Sequence, residues 1–300
     1  MSPKPKSQIA DGIPLKEFRF RFNSPDDTTF IQTLRTAKVN IMGESEKQTR
    51  IIEIQSSTSI EKTNDGYSLI TTPVSAKLTQ DGERIDDPIF SSLQDVVVIY
   101  KLNPKGQLLA IYGYESLLKK MKERFPSPKY KAISNVLNNE AIINREKADW
   151  NGRIGSFVGK KFRLGDVWQS TDSFDLPSGE TVIFYSAIRF AEQTSFEGHD
   201  CIRIKFANNS SDKALKDFIG KVSNSVSESL DVPYEKQEMP YLTISGEGER
   251  LIDPATMLIY SETMERIVTT SMETPEKERV KFTTKEKKEY RFDYTMIKVL

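Results

Sequence analysis

Apolar and polar residues alternate with a period of two in many segments of this 300-residue chain. Successive side chains of a β-strand point to opposite faces of a sheet, so the alternation predicts strands with one apolar and one wet face. Such strands are typical of antiparallel sheets, and we expect a mainly antiparallel β fold of the α+β class. The aromatic residues that show the alternation most clearly are Phe18, Phe20, Phe22, Tyr290, Phe292 and Tyr294.

Two regions, 115–147 and 211–230, show the period of an amphipathic helix instead. In the first region, the prolines that begin at Pro126 interrupt the pattern, so we predict two helices there. The second region predicts one helix, which would be inserted between strands. Its apolar face includes Leu215, Phe218 and Val222.

Two pairs of similar segments indicate an internal duplication. Pro25-Asp-Asp-Thr-Thr-Phe resembles Pro177-Ser-Gly-Glu-Thr-Val, 152 positions later, and Asn103-Pro-Lys-Gly-Gln-Leu-Leu resembles Asp253-Pro-Ala-Thr-Met-Leu-Ile, 150 positions later. Matched offsets of about half the chain length are typical of a tandem repeat. The alternative is that proline-containing turns are common and that these matches reflect turn chemistry alone.

The polar composition of residues 1–14 predicts a flexible tail. The repeat predicts two related halves, 15–157 and 158–300. We expect each half to form a strongly curved antiparallel sheet covered by amphipathic helix, with two helices in the first half and one in the second. A helix that lies against a curved sheet leaves an apolar groove between the two.

Composition excludes several classes of function. Lysine and arginine number 43, and so do aspartate and glutamate, so the chain has no basic excess to attract nucleic acid. The single cysteine, Cys201, excludes an intramolecular disulfide and a metal site built from several cysteines. No segment approaches about 18 consecutive apolar residues, so we predict no transmembrane helix.

Few residues have the arrangement that catalysis requires. His199 and Cys201 would form a thiol–imidazole pair if they shared a strand face, but a solvated turn histidine and a buried cysteine explain them better. Asp26-Asp27 and Asp86-Asp87 would serve as a cation site or an acid–base pair, but proline-containing turns and helix caps also favour aspartate. We predict no catalytic residue, no metal ligand and no cofactor.

Four segments carry a resemblance to a known family. Arg163-Leu-Gly-Asp-Val-Trp, Leu176-Pro-Ser-Gly, Glu197-Gly-His-Asp-Cys-Ile-Arg-Ile and Gly246-Glu-Gly-Glu-Arg-Leu-Ile-Asp-Pro-Ala-Thr resemble a family of duplicated, β-rich bacterial envelope proteins of unknown function. The resemblance covers most of residues 15–300 and implies a shape similar to the open half-barrels of lipoprotein carriers. It also implies the periplasm or cell envelope if a leader has been removed, and the cytoplasm otherwise.

We therefore expect a non-enzymatic protein that binds an apolar or lipid-like ligand between sheet and helix, with a further envelope protein as a possible partner. One alternative is a structural or protein-interaction module without a small ligand, and another is a hydrolase that uses carboxylates. The aromatic stripes would line the groove or form ordinary core. The predicted ligand-binding residues are Phe18, Phe20, Phe22, Leu215, Phe218, Val222, Tyr290, Phe292 and Tyr294.

Overall fold

The structure is a computed structural model that describes residues 16–25, 28–43, 45–86, 96–124, 138–175, 181–210, 241–273 and 279–296. The first half contributes strands β1 (Glu17–Arg19), β2 (Thr28–Met42), β3 (Ser45–Thr63), β4 (Gly66–Gln80), β5 (Glu83–Arg84), β6 (Val98–Leu102) and β7 (Leu108–Tyr112). The second half contributes β8 (Lys161–Arg163), β9 (Val167–Asp175), β10 (Thr181–Phe196), β11 (His199–Ser210), β12 (Tyr241–Ile252), β13 (Ile259–Glu273) and β14 (Arg279–Met296). Between them lie helices α1 (Tyr114–Arg124) and α2 (Asn139–Trp150) and a π-helical turn (Asn151–Gly155).

One 12-stranded antiparallel sheet contains strands from both halves. Its order is β7-β6-β4-β3-β2-β14-β13-β12-β11-β10-β9, with β5 paired to β4, and β1 pairs with β8 in a separate two-stranded sheet. The mainly antiparallel β fold is confirmed, whereas the prediction of two tandem curved sheets is not, because strands of both halves belong to one sheet. Within the described residues the large sheet does not close, because β7 and β9 form its two edges.

Pairing between β2 and β14 explains why the halves share a sheet. The register runs from Thr28 opposite Met296 to Met42 opposite Phe282 without a shift. A strand edge presents unpaired N–H and C=O groups, and two long edges satisfy each other by pairing. The division at 157/158 and the duplication stay predictions. The strands of each half do lie together on their own side of this junction.

The main hydrophobic core lies at one end of the large sheet, on the face that carries Phe30 and Phe292, which we call the inner face. Phe20 is fully buried there and contacts the rings of Phe157, Phe162 and Phe190 at centroid distances of 5.9, 5.4 and 5.9 Å. The β1–β8 pair and the segment after α2 therefore pack against this end of the sheet.

Helix α1 packs against one face of strands β6 and β7. Its buried side chains, Leu117 and Met121, form a second apolar cluster with Val96, Val98 and Ile111. Helix α2 begins after Asn138, whose side chain accepts a hydrogen bond from the Ala141 amide at 2.8 Å. The helical pattern of region 115–147 is thus found as α1 and α2. The helix predicted over 211–230 lies outside the described residues.

Candidate functional site

An open groove of about 380 Å³ lies between the inner face of the sheet and the C-terminal end of α2. Its floor comes mainly from β2, β3 and β14, and its wall from α2 and the π-helical turn. The floor consists of adjacent cross-strand rows, since residues two apart on a strand share a face. The central rows are the pairs Phe30–Tyr294, Gln32–Phe292 and Leu34–Tyr290.

Polar atoms of the floor are largely satisfied within the protein. The Tyr294 hydroxyl donates to the Ile259 carbonyl at 2.8 Å, and burial raises the pKa of Tyr294 above its ordinary value. The hydroxyls of Thr58 and Thr71 bond to each other at 2.9 Å. The floor therefore presents mainly aromatic and aliphatic surface to the groove.

Helix α2 is held over the floor by polar contacts near its C-terminal end. The Trp150 indole donates to the Gly106 carbonyl at 3.0 Å, and its ring lies 6.1 Å from the ring of Phe22. The Tyr100 hydroxyl donates to Glu146 at 2.8 Å, and burial raises the pKa of Tyr100 so that it stays a donor. These contacts matter because α2 has no fully buried residue among its own side chains.

A buried ion cluster joins the π-helical turn to the sheet beside the groove. Arg250 and Glu262 are direct neighbours on β12 and β13, and the Arg250 Nε donates to Glu262 at 2.6 Å. Arg153 of the turn donates to the other oxygen of Glu262 at 3.2 Å. Arg250 also donates to the carbonyls of Arg153 and Gly152, at 2.9 and 3.3 Å. One carboxylate and one guanidinium of the sheet thus fix the position of the groove wall.

Electrostatics within the cluster keep Glu262 charged. Burial alone would raise the pKa of Glu262, but Arg250 and Arg153 outweigh burial and hold it below its ordinary value. Burial lowers the pKa of Arg250. Burial also opposes the charge on Arg153, but Glu262 and Asp149 outweigh it and raise the pKa of that guanidinium. Arg153 also stacks on the ring of Tyr290, with its guanidinium carbon 4.3 Å from the ring centroid.

The predicted ligand-binding residues have three different locations. Four of them line the groove: Phe22, Tyr290, Phe292 and Tyr294. Phe18 and Phe20 pack in the hydrophobic core, so the core interpretation fits these two residues. Leu215, Phe218 and Val222 lie outside the described residues. Ligand binding by any of these residues stays a prediction.

Sequence reasoning missed the ion cluster and much of the groove floor. Arg250 and Glu262 occupy inward positions of their strands, in the same cross-strand row as Tyr290. Opposite charges at inward positions of consecutive strands were the available signal. This signal was not sufficient alone, because the sequence of each strand does not reveal the pairing register that places the two side chains opposite each other.

The possible catalytic groups that the structure describes, His199, Cys201 and Asp86, are separate from the groove lining. Cys201 is completely buried, and burial raises the pKa of its thiol to about 11, so the thiolate form is disfavoured at neutral pH. His199 is exposed and its ring stacks on Tyr260 at 4.7 Å. Asp86 is exposed, whereas Asp26, Asp27 and Asp87 lie outside the described residues. Within the described ranges, no three potential metal-binding side chains come together.

Similarity to known proteins is found at the level of structure but not of sequence. No model of a protein family matches the sequence, and no curated protein matches it. A solved structure titled "Lipid-protein interactions in lipovitellin" aligns with a TM-score of 0.46 and 9% identity, over 90% of this chain and 26% of that chain. In the described part of this chain, no helix combines the length and the apolar character needed to cross a membrane.

Proposed function

We propose that this protein binds an apolar or amphipathic, lipid-like ligand in the groove and does not transform it chemically. The observation that supports the proposal is the open volume of about 380 Å³ between sheet and helix. Small-molecule sites are typically concave, mostly apolar and roughly 300–1,000 Å³ in volume. The groove has that size, and aromatic and aliphatic side chains dominate its lining.

The hydrogen bonding of the lining favours an apolar occupant. Tyr100, Trp150 and Tyr294 direct their donors at partners within the protein. Burying a polar group without a partner costs about 1–3 kcal/mol, so an alkyl chain can cover these three paired donors without that penalty. A polar ligand would have to break these bonds to gain its own.

A neutral, polarity-sensitive dye such as Nile red tests the proposal on the full chain. We expect saturable fluorescence enhancement, and we expect Leu34→Trp to abolish most of it, because Leu34 lies on the groove floor. The matched control is Thr33→Trp, since Thr33 is the preceding residue of β2 and points to the opposite face of the sheet. Equal dye binding by the two variants would contradict the proposal.

A second candidate function, a protein-interaction module, is favoured by the edge strand β7. Leu109 and Tyr112 on this strand are 59% and 53% exposed. A sheet edge with exposed apolar side chains is a template for pairing with another chain. Failure of the dye to bind, together with concentration-dependent association that Leu109→Lys removes, would favour this function over ligand binding.

The proposed setting is the periplasm or cell envelope, and it rests on the family resemblance of the four segments around Arg163, Leu176, Glu197 and Gly246. Fractionation of the native host, followed by immunodetection of this chain, tests that location directly. Recovery only in the cytoplasmic fraction would contradict it.

A further inference from the structure

The inner face of the sheet changes from apolar to cationic directly beyond the groove. The β2–β14 register continues without a shift past the groove row Leu34–Tyr290. The next inward row places Thr36 opposite Lys288, and the row after it places Lys38 opposite Glu286. Groove and charged rows therefore share one face of the same two strands.

Neighbouring strands add two more cations to the charged rows. Arg266 of β13 lies opposite Glu286, and Arg50 of β3 lies opposite Lys38. We call the four side chains Lys38, Arg50, Arg266 and Lys288 the cationic cluster. Among the described residues, Glu286 is the carboxylate that they surround, so positive charge exceeds negative charge on the described part of this face.

Glu286 neutralises only part of the cluster. It accepts from Arg266 at 2.7 Å and from Lys288 at 3.2 Å. Burial alone would raise the pKa of Glu286, but these two cations outweigh burial and lower it. Lys38 is exposed to solvent. Arg50 donates from one nitrogen to Gln80 at 3.1 Å, while its buried Nε has no partner among the described residues. Donors thus remain for an additional anion.

The opposite face of the same strands has a different charge pattern. There, Arg35 lies 3.3 Å from Glu289 and 3.8 Å from Glu53, and Lys287 lies 2.9 Å from Glu289. Opposite charges alternate between neighbouring strands on that face, which is the usual arrangement of a solvated sheet. The cationic excess is therefore specific to the face that carries the groove.

We infer that the ligand is an anionic amphiphile, with its alkyl chain in the groove and its headgroup on the cationic cluster. This inference rests on the proposed function of the groove. The Lys38–Glu286 row lies four residues from the Leu34–Tyr290 row, about 14 Å along the strands at about 3.4 Å per residue. A long alkyl chain spans that distance, and a carboxylate, phosphate or sulfate group gains charge-assisted hydrogen bonds at the cluster.

The described acidic residues of the groove wall, Glu146 and Asp149, already have partners within the protein. Glu146 accepts a hydrogen bond from Tyr100, and Asp149 lies 3.8 Å from Arg153. Within the described part of the chain, by contrast, the cationic cluster carries more positive charges than Glu286 can pair.

Displacement of Nile red from the full chain by dodecyl compounds tests the headgroup. We expect dodecanoate to displace the dye at a concentration at least about tenfold lower than 1-dodecanol or dodecyltrimethylammonium, since a charge-assisted hydrogen bond is among the stronger polar contacts. The double variant Lys38→Gln/Arg266→Gln should remove that preference and leave 1-dodecanol binding unchanged. The matched control, Lys285→Gln/Lys287→Gln on the opposite face, removes the same charge and should retain the preference.

Other results would overturn the inference in distinguishable ways. Equal displacement by dodecanoate and 1-dodecanol would contradict the inferred preference for an anionic headgroup, but it would be consistent with binding of alkyl chains in the groove. Binding of inorganic phosphate or acetate as tightly as dodecanoate, measured by calorimetry, would indicate a site for free anions rather than an amphiphile. If Nile red did not bind, or if Leu34→Trp did not affect its binding, the proposed ligand binding in the groove would itself be contradicted.

Discussion

Glu262 shows how much one residue contributes to the position of the groove wall. It is 3% exposed and is the shared partner of two guanidiniums, one on the sheet and one on the π-helical turn. Removing one member of a buried ion pair typically costs about 3–5 kcal/mol, because the remaining charges lose compensation. We expect Glu262→Gln to lower the free energy of unfolding in urea by about that amount. Glu265→Gln, at an exposed position of the same strand, should change it little.

Low pH should reduce the contribution of the same ion cluster to the stability of the fold. The folded-state pKa of Glu262 is lowered from its ordinary value of 4.5, so the carboxylate stabilises the fold fully above pH 4.5. That stabilisation is lost as the pH falls through the lowered folded-state value. We expect the urea concentration at the unfolding midpoint of the unmodified protein to decrease as the pH is lowered below 4.5. The same midpoint for Glu262→Gln should decrease less. Parallel curves for the two proteins would contradict this role of Glu262.

At the scale of single residues, the sequence predicted the strand face on which a side chain lies better than it predicted the ion-pair partners of that side chain. The spacing of Tyr290, Phe292 and Tyr294 placed all three on one face, and all three line the groove. The partners of Arg250 and Glu262 were not predictable, because they depend on pairing between two strands and on a turn about 100 positions away.

At the scale of elements, helix α2 depends on its N-terminal cap as well as on contacts at its other end. Asn138 accepts from the Ala141 amide, which otherwise would lack an intrahelical partner. Replacing such a cap by alanine costs about 1 kcal/mol, whereas serine retains an acceptor. We expect Asn138→Ala to lower the free energy of unfolding by about 1 kcal/mol and Asn138→Ser to recover most of it, both measured by urea denaturation. Equal losses in the two variants would exclude a capping role.

Strand locations followed from local sequence, but sheet membership did not. The alternation of Tyr290, Phe292 and Tyr294 predicted a strand, and all three residues lie in β14. The pairing of β2 with β14 joins residues that are distant in the sequence, such as Arg35 and Glu289, which lie 254 positions apart. Backbone edges of different strands offer the same hydrogen-bonding groups, so no local pattern distinguishes one continuous sheet from two.

At the scale of the whole molecule, contacts between the halves predict cooperative unfolding. Phe20 contacts Phe190, Arg153 bonds to Glu262, and β2 pairs with β14 along its whole length. Each contact joins residues from different halves, so loss of one half exposes apolar surface and an unpaired strand edge on the other. We therefore expect the halves to unfold together rather than as separate domains.

The two tryptophans allow a direct measurement, because Trp150 precedes the midpoint boundary and Trp168 follows it. Trp168→Phe leaves Trp150 as the reporter at the groove wall, and Trp150→Phe leaves Trp168 as the reporter beside Phe157 and Phe162. For each variant, we expect urea midpoints from fluorescence and from far-ultraviolet circular dichroism to coincide. The contrary result is a fluorescence midpoint below the circular dichroism midpoint for one variant and above it for the other. In that case the halves would be independent folding units. The shared sheet would then contribute little to their stability.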